Sequence, residues 1–242
     1  MAFQFKHLFT PLKVGTMTVP NRIVSTAHIS RLAELDGLPG PRQIAYWEAK
    51  AKGGVGLIGT QAYSVHQSHG DAPVVFHNEA FVPRFRQAVD VLHRHGAKVT
   101  LQLWHAGRQG HANANGRPIW APSQTMVRPD YETPHIVNEE EIWELIGAYA
   151  AAAARSRDAG LDGVEIHFAH GYLVQQFLSP LTNHRDDRWG GSWENRARFG
   201  LETIKAVREA VGRDYTVGIR ISGDEFTDGG YTIDDMKAVA PI

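Results

Sequence analysis

With 242 residues and 43% hydrophobic content, the chain is long enough to bury the core of one α/β domain. Its 25 Lys and Arg balance 26 Asp and Glu to a formal net charge of -1, which points away from nucleic acid and from acidic membrane surfaces as partners. The lack of cysteine excludes disulfides, cysteine-ligated zinc and iron–sulfur ligation within these residues. The N-terminal MAFQFKHLFTPLK has no uninterrupted apolar core of the signal-peptide kind, and no apolar run reaches membrane-spanning length, so a cytoplasmic protein is expected.

The elements come in a rhythm. Residues 3–20 read as a small cap, in which LKVGTMTVPN alternates around Gly15-Thr16 as a hairpin does. A strand over Ile23–Ala27 precedes a helix from about Pro41 to Lys52. A strand over Gly56–Thr60 precedes a helix with Pro83 in its first turn, and a strand over Lys98–Leu103 leads into a long polar loop, 105–137. Asn138-Glu139-Glu140-Glu141 has the form of a capping box and opens a helix that runs to Gly160. A strand over Gly163–His167, a helix over Ser192–Val211, a strand over Thr216–Ser222 and a helix over Ile233–Ala240 complete the order.

Helices stop at Gly53, Gly96, Gly160 and Gly212, each with a strand starting soon after, where glycine permits the left-handed stop. Repeated βα units with near-apolar strands imply a parallel sheet under helical cover. Polar residues recur on one strand face, Thr100 with Gln102 and Gly218 with Arg220 and Ser222. That suits a barrel with a wet mouth better than a doubly wound sheet, whose two faces both meet helices. The expected fold class is therefore α/β, a (β/α)8 TIM barrel of which about five βα units are present. The expected organisation is a single domain over 1–242, with 1–20 as its cap, cut short at the C-terminus.

The chemistry concentrates in Gly163–Arg196, GVEIHFAHGYLVQQFLSPLTNHRDDRWGGSWENR. It places His167, His170 and Tyr172 at the end of a strand, where barrel enzymes build their sites. Glu165, His167 and His170 are also metal-ligand types, so a metal-dependent barrel hydrolase is a competing reading. His93 and His95 fall in a helix's last turn and are expected to be solvated. Arg185, Asp186, Asp187 and Arg188 form a candidate ion-pair network, and His66, His69 and His105 are candidates for the pocket rim.

Taken together, Leu8-Phe9-Thr10-Pro11, Asn21-Arg22-Ile23-Val24, Gly53-Gly54-Val55-Gly56-Leu57-Ile58, Gln102-Leu103-Trp104-His105-Ala106-Gly107-Arg108, the stretch 163–196 and Arg220-Ile221-Ser222 resemble the old yellow enzyme family of FMN-dependent oxidoreductases, 2,4-dienoyl-CoA reductase-like members included. The resemblance implies an NAD(P)H-dependent ene-reductase acting on a small molecule. In that case the main chain of Ser25, Thr26 and Ala27 would edge the flavin, with Ala62 beside it. Gln102 would bond the pyrimidine edge and Arg220 would be the cation near flavin N1 and O2. His167 and His170 would hold a substrate carbonyl oxygen, and Tyr172 would donate a proton. Ile29 stands where the resemblance leads one to look for Thr or Cys, so FMN would be non-covalent. The His/His/Tyr set fits an unsaturated carbonyl better than an amine. An iron–sulfur cluster is expected only if a further C-terminal domain exists, and a homo-oligomer is left open. The remaining alternative is a catalytically inactive relative. Without the resemblance, Gln102 reads as paired with a barrel-interior neighbour and Arg220 as salt-bridged, with Glu165 as a candidate partner.

Overall fold

The structure, a computed structural model, describes residues 5–239 except 71 and 115. The hairpin β1 (Leu12–Val14) and β2 (Met17–Val19) turns at Gly15, whose φ of +57° suits a residue without Cβ. Then follow β3 (Val24–Ser25), α1 (Pro41–Lys52), β4 (Leu57–Ser64), α2 (Phe81–His93) and β5 (Lys98–Trp104). After a long excursion come β6 (Trp120–Ala121), β7 (His135–Ile136), α3 (Glu139–Asp158), β8 (Gly163–Phe168), α4 (Leu173–Leu178), α5 (Trp193–Val211), β9 (Thr216–Ile221) and α6 (Ile233–Val239). Residues 3 and 4 of the expected cap, and Ala240 of the expected last helix, lie outside the described residues.

The main sheet has five strands in the order β3-β4-β5-β8-β9, all parallel. Right-handed crossovers in a monotonic order carry every helix to one face and curl the sheet, whereas a doubly wound sheet reverses its order. The fold is α/β, with five βα units of a (β/α)8 barrel. The two edge strands leave Val24 49% and Ile219 41% exposed. Among the described residues no helix is long and apolar enough to cross a membrane.

Side chains alternate along a strand, so each strand offers one set to the helices and one to the barrel interior. The helix-facing set includes Leu101, Leu103, Val164 and Ile166, all buried against Trp47, Phe85, Tyr149 and Phe199. α3 starts on a full capping box, with Asn138 Oδ1 accepting from Glu141 N–H at 2.9 Å and Glu141 Oε2 accepting from Asn138 N–H at 2.8 Å. At the N-terminal end of the sheet the hairpin is pinned to β9. Thr216 Oγ1 accepts from Thr16 N–H at 3.2 Å and Met17 N–H at 3.3 Å.

Four local expectations change. Gly53 stays right-handed, with φ -73°, and the left-handed stop of α1 falls on Gly54 at +89°. β4 runs on to Ser64 through a register shift between Gly59 and Ala62. The 105–137 excursion contains the parallel pair β6–β7. His93 and His95 are partnered: His93 Nε2 lies 2.7 Å from Asp162 Oδ2 and His95 Nε2 lies 3.0 Å from Glu48 Oε1. Asp162 also accepts from Lys98 and from Val99 N–H. Burial opposes its ionisation, but these hydrogen bonds outweigh it and lower its pKa.

Candidate functional site

The parallel register lines up the interior residues in rows. Ala62, Gln102, Glu165 and Gly218 are register partners across β4, β5, β8 and β9. Two residues further along each strand, Ser64 pairs with Trp104, and His167 with Arg220. Because the side-chain period is two, both rows face the same way, with the second nearer the C-terminal strand ends. The lower row is flat at its flanks: a Cβ on Gly218 would have nothing nearer than Val164 O at 3.9 Å.

Gln102 is 4% exposed, and its Nε2 donates to Glu165 Oε1 at 2.6 Å. The amide orientation is thereby fixed, leaving Oε1 and the second N–H for another partner. Glu165 is thus the partner of Gln102 and not of Arg220. Among the described residues no carboxylate lies within ion-pair distance of the half-buried Arg220.

β8 delivers His167, and the chain then turns sharply. His170 adopts φ +60°, uncommon for a residue with a side chain, and Gly171 follows at +70°. Tyr172 is the N-cap of α4. The ring centroids of His167 and His170 are 4.9 Å apart, those of His167 and Tyr172 5.0 Å, and those of His170 and Tyr172 6.2 Å. The Trp104 ring meets Tyr172 edge-on at 5.1 Å.

The tautomers follow from the hydrogen bonds. His167 Nδ1 accepts from Ala169 N–H at 3.2 Å, so the proton of the neutral ring sits on Nε2. That Nε2–H points to His170 Nδ1 at 3.1 Å, which in turn leaves His170 with its proton on Nε2. Burial, with His170 and Arg220 nearby, depresses the His167 pKa to about 3. Burial and Arg220 lower that of the exposed His170. Burial raises the Tyr172 pKa, so the phenol holds its proton at neutral pH. In this arrangement His167 donates to its neighbour, while the His170 ring carries its own N–H on Nε2, the atom turned away from His167.

A groove of about 460 Å³ opens beside His170 and Arg220, with Ser222, Asp224 and Phe226 among its walls. At the other end of the sheet, Ser25 Oγ is turned to Lys50 Nζ at 2.9 Å, which leaves the main chain of 25–27 at the strand end. Gly59 is what lets that chain approach, because a Cβ there would sit 2.9 Å from Ala27 N. Ile29 is 54% exposed.

His66, His69 and His105 do not line a rim; they are 6%, 0% and 1% exposed. His105 Nδ1 accepts from Gly107 N–H at 3.0 Å and its Nε2 meets Ser68 Oγ at 3.0 Å, while Ser68 Oγ lies 2.7 Å from His66 Nδ1. His66 Nε2 reaches Glu144 Oε1 at 2.9 Å. His69 Nδ1 accepts from Ala106 N–H at 2.9 Å. Of the expected ion-pair network, Arg185–Asp187 at 2.6 Å is internal, whereas Arg188 reaches Glu139 at 3.5 Å. Among the described residues no three His, Cys, Asp or Glu side chains converge as a metal site. Glu165 is engaged with Gln102 and the two histidines with each other. The residues sequence reasoning missed are Gln109, Gln175 and Gln176, which hold the 170–171 turn. Gln175 and Gln176 were visible only as two glutamines between the apolar positions 173, 174, 177 and 178 of a short buried helix, and Gln109 carried no local signal.

The sequence profile of the NADH:flavin oxidoreductase / NADH oxidase family matches residues 7–241. The chain belongs to this family, that of old yellow enzyme. It is 42% identical over 241 residues to N,N-dimethylglycine/sarcosine dehydrogenase of Chromohalobacter salexigens, covering 98% of this chain and 35% of that one. Among solved structures it is similar to a 2-naphthoyl-CoA reductase in complex with 2-naphthoyl-CoA, with TM-score 0.92 and 31% identity over 98% of this chain and 38% of that one. It is also similar to an old yellow enzyme from Pichia sp. AKU4542, with TM-score 0.88 and 30% identity over 97% of this chain and 65% of that one. The chain spans about a third of the length of the curated relatives first matched, namely 35%, 34% and 37%.

Proposed function

We propose that this chain carries the substrate side of an FMN-dependent NAD(P)H oxidoreductase that reduces an α,β-unsaturated carbonyl. The observation that carries the reading is the convergence of two imidazoles and a protonated phenol, with centroids 4.9 to 6.2 Å apart, one row above Ala62–Gln102–Glu165–Gly218. That lower row fits a planar ring system. Its flanks are small, Gln102 keeps an acceptor and a donor to offer, and Arg220 is a cation without a carboxylate partner among the described residues. Gln102, Arg220, Ala62 and the main chain of Ser25, Thr26 and Ala27 would hold FMN non-covalently. When bound, FMN supplies the redox carrier that passes a hydride from NADH or NADPH to the substrate's β-carbon.

The protein's own part is to hold oxygen and move a proton. The carbonyl oxygen would take the Nε2–H of His167 from His170 Nδ1, and His170, turned or tautomerised, would donate a second N–H; donors aimed at an oxygen that gains charge lower the barrier. Tyr172 O–H delivers its proton to the α-carbon, so a C=C bond becomes two C–H bonds, one from hydride and one from the phenol, which solvent then reprotonates. Strongly depressed imidazole basicity keeps His167 neutral, a hydrogen-bond donor rather than a competing acid.

A second reading, oxidation of an N-methylated amino acid, is favoured by the 42% identity to the dimethylglycine/sarcosine dehydrogenase. One preparation separates the two. Anaerobic addition of NADH or NADPH to the intact protein should bleach a bound flavin, and an enone should then restore the colour. Failure of both nucleotides to bleach it overturns the reductase reading, and bleaching by sarcosine or dimethylglycine instead establishes the amine reading.

A further inference from the structure

The loop after β5 contributes more than a wall. Its backbone N–H groups are captured one after another by buried side chains: Ala106 by His69 Nδ1 at 2.9 Å, Gly107 by His105 Nδ1 at 3.0 Å and Arg108 by Gln176 Oε1 at 3.0 Å. Gly107 sits at φ +59°, and a Cβ there would run into Gln176 Oε1. A loop held at three consecutive amides is a rigid platform, and the next residue on it is Gln109.

Gln109 Nε2 donates to His170 O at 2.8 Å and to Gly171 O at 2.7 Å. One primary amide has two hydrogens, so both are committed to these two carbonyls. The turn they belong to is the strained one, with His170 at φ +60°. Without external partners a histidine relaxes from that conformation. The remaining restraints come from the other side. His170 N–H donates to Ser222 Oγ at 3.2 Å and Gly171 N–H to Gln175 Oε1 at 2.7 Å, and Gln176 Nε2 also reaches Gly171 O at 2.7 Å. Of these groups only Gln109 bonds the carbonyl of His170 itself, and it does so from an element separate in sequence.

We propose that Gln109 is a positioning residue: it fixes the left-handed backbone of His170 and so sets the direction of the imidazole that meets the substrate oxygen. The proposal rests on the site reading given above, but its test does not. The readout is backbone amide hydrogen exchange at His170 and Gly171 in the full chain, compared among wild type, Gln109→Met and Gln109→Lys. Methionine matches the length without donors, while lysine retains donors for both carbonyls. The Met variant should exchange these two amides at least about tenfold faster, and the Lys variant within about threefold of wild type, because losing both carbonyl bonds lets the turn open more often and so exposes the amides that Ser222 and Gln175 hold. Exchange of the α3 amides serves as an internal reference and should not change. If the Met variant fails to fold, Gln109→Asn, one methylene too short to reach both carbonyls, gives the same reading. In the holoenzyme, Gln109→Met should lower kcat on an enone about tenfold to a hundredfold, and Gln109→Lys should restore most of it. Wild-type exchange rates in the Met variant, or equal acceleration in Met and Lys, overturn the proposal. An inactive wild type with the expected exchange pattern instead overturns the reductase reading and leaves the positioning claim intact.

Discussion

His167 donates its Nε2–H to His170 Nδ1 across 3.1 Å, and Ala169 N–H to His167 Nδ1 fixes the direction of that bond. Two rings that would serve one oxygen therefore satisfy each other until the oxygen arrives. The arrangement makes both neutral rings Nε2–H tautomers in the ligand-free protein. Long-range ¹H–¹⁵N correlation spectra of histidine-labelled protein near pH 7.5 should show this directly for His167. An Nδ1–H signal there would contradict the arrangement. His167→Phe should lower kcat on an enone by about 10²- to 10³-fold, the usual cost of removing one donor from a developing oxyanion.

The buried histidines set the acid limit of the fold. His69 and His167 have pKa values depressed to about 3 by burial, and His105 is also held well below the ordinary value. The unfolded chain binds protons on these rings near pH 6.5, while the folded chain resists them. Their contribution is thus present above about pH 6.5 and is lost as pH falls from there toward 3, at up to about 1.4 kcal/mol per pH unit for each ring. The lowered carboxylates act in the same direction, but the glutamates among them begin to do so only about one pH unit above their ordinary value of 4.5, so the interval from pH 6.5 to about 5.5 isolates the histidines. Chemical denaturation across that interval should show stability falling, with a shallower fall in His69→Gln. Equal slopes in the two proteins would exclude His69 as a contributor.

Two glycines in the sheet should respond in opposite ways. A methyl at Gly59 would meet Ala27 N at 2.9 Å, whereas one at Gly218 would meet nothing nearer than 3.9 Å. Gly59→Ala should cost about 1 to 3 kcal/mol of stability as the chain at 25–27 is pushed away. Gly218→Ala should leave stability within about 1 kcal/mol of wild type, yet weaken FMN retention by crowding the lower row. Denaturant midpoints and flavin content after gel filtration read the two effects separately.

The βα rhythm was legible because glycine stops, capping residues and apolar strand runs are local signals, and the helix and strand boundaries they imply mostly hold. The interior rows were half legible. Thr100 with Gln102 announced a polar face, but nothing local says that Gln102 meets Glu165, because that contact depends on strand register 63 residues apart. His66, His69 and His105 looked like rim residues by chemistry and are buried by tertiary packing. Helix α4 was hidden because Leu173–Leu178 is too short for periodicity to separate it from the loop around it. Its glutamines gain meaning only from the turn they grip.

The central claim is that Tyr172 is the proton donor beside a hydrogen-bonded histidine pair. Rapid-mixing measurement of the two half-reactions of Tyr172→Phe in the full-length flavoprotein tests it most directly. The enone half-reaction should slow by about 10²- to 10⁴-fold, the range for loss of one general acid, while flavin reduction by NADH stays close to wild type. Equal slowing of both halves, or an unchanged enone half-reaction, would contradict the assignment.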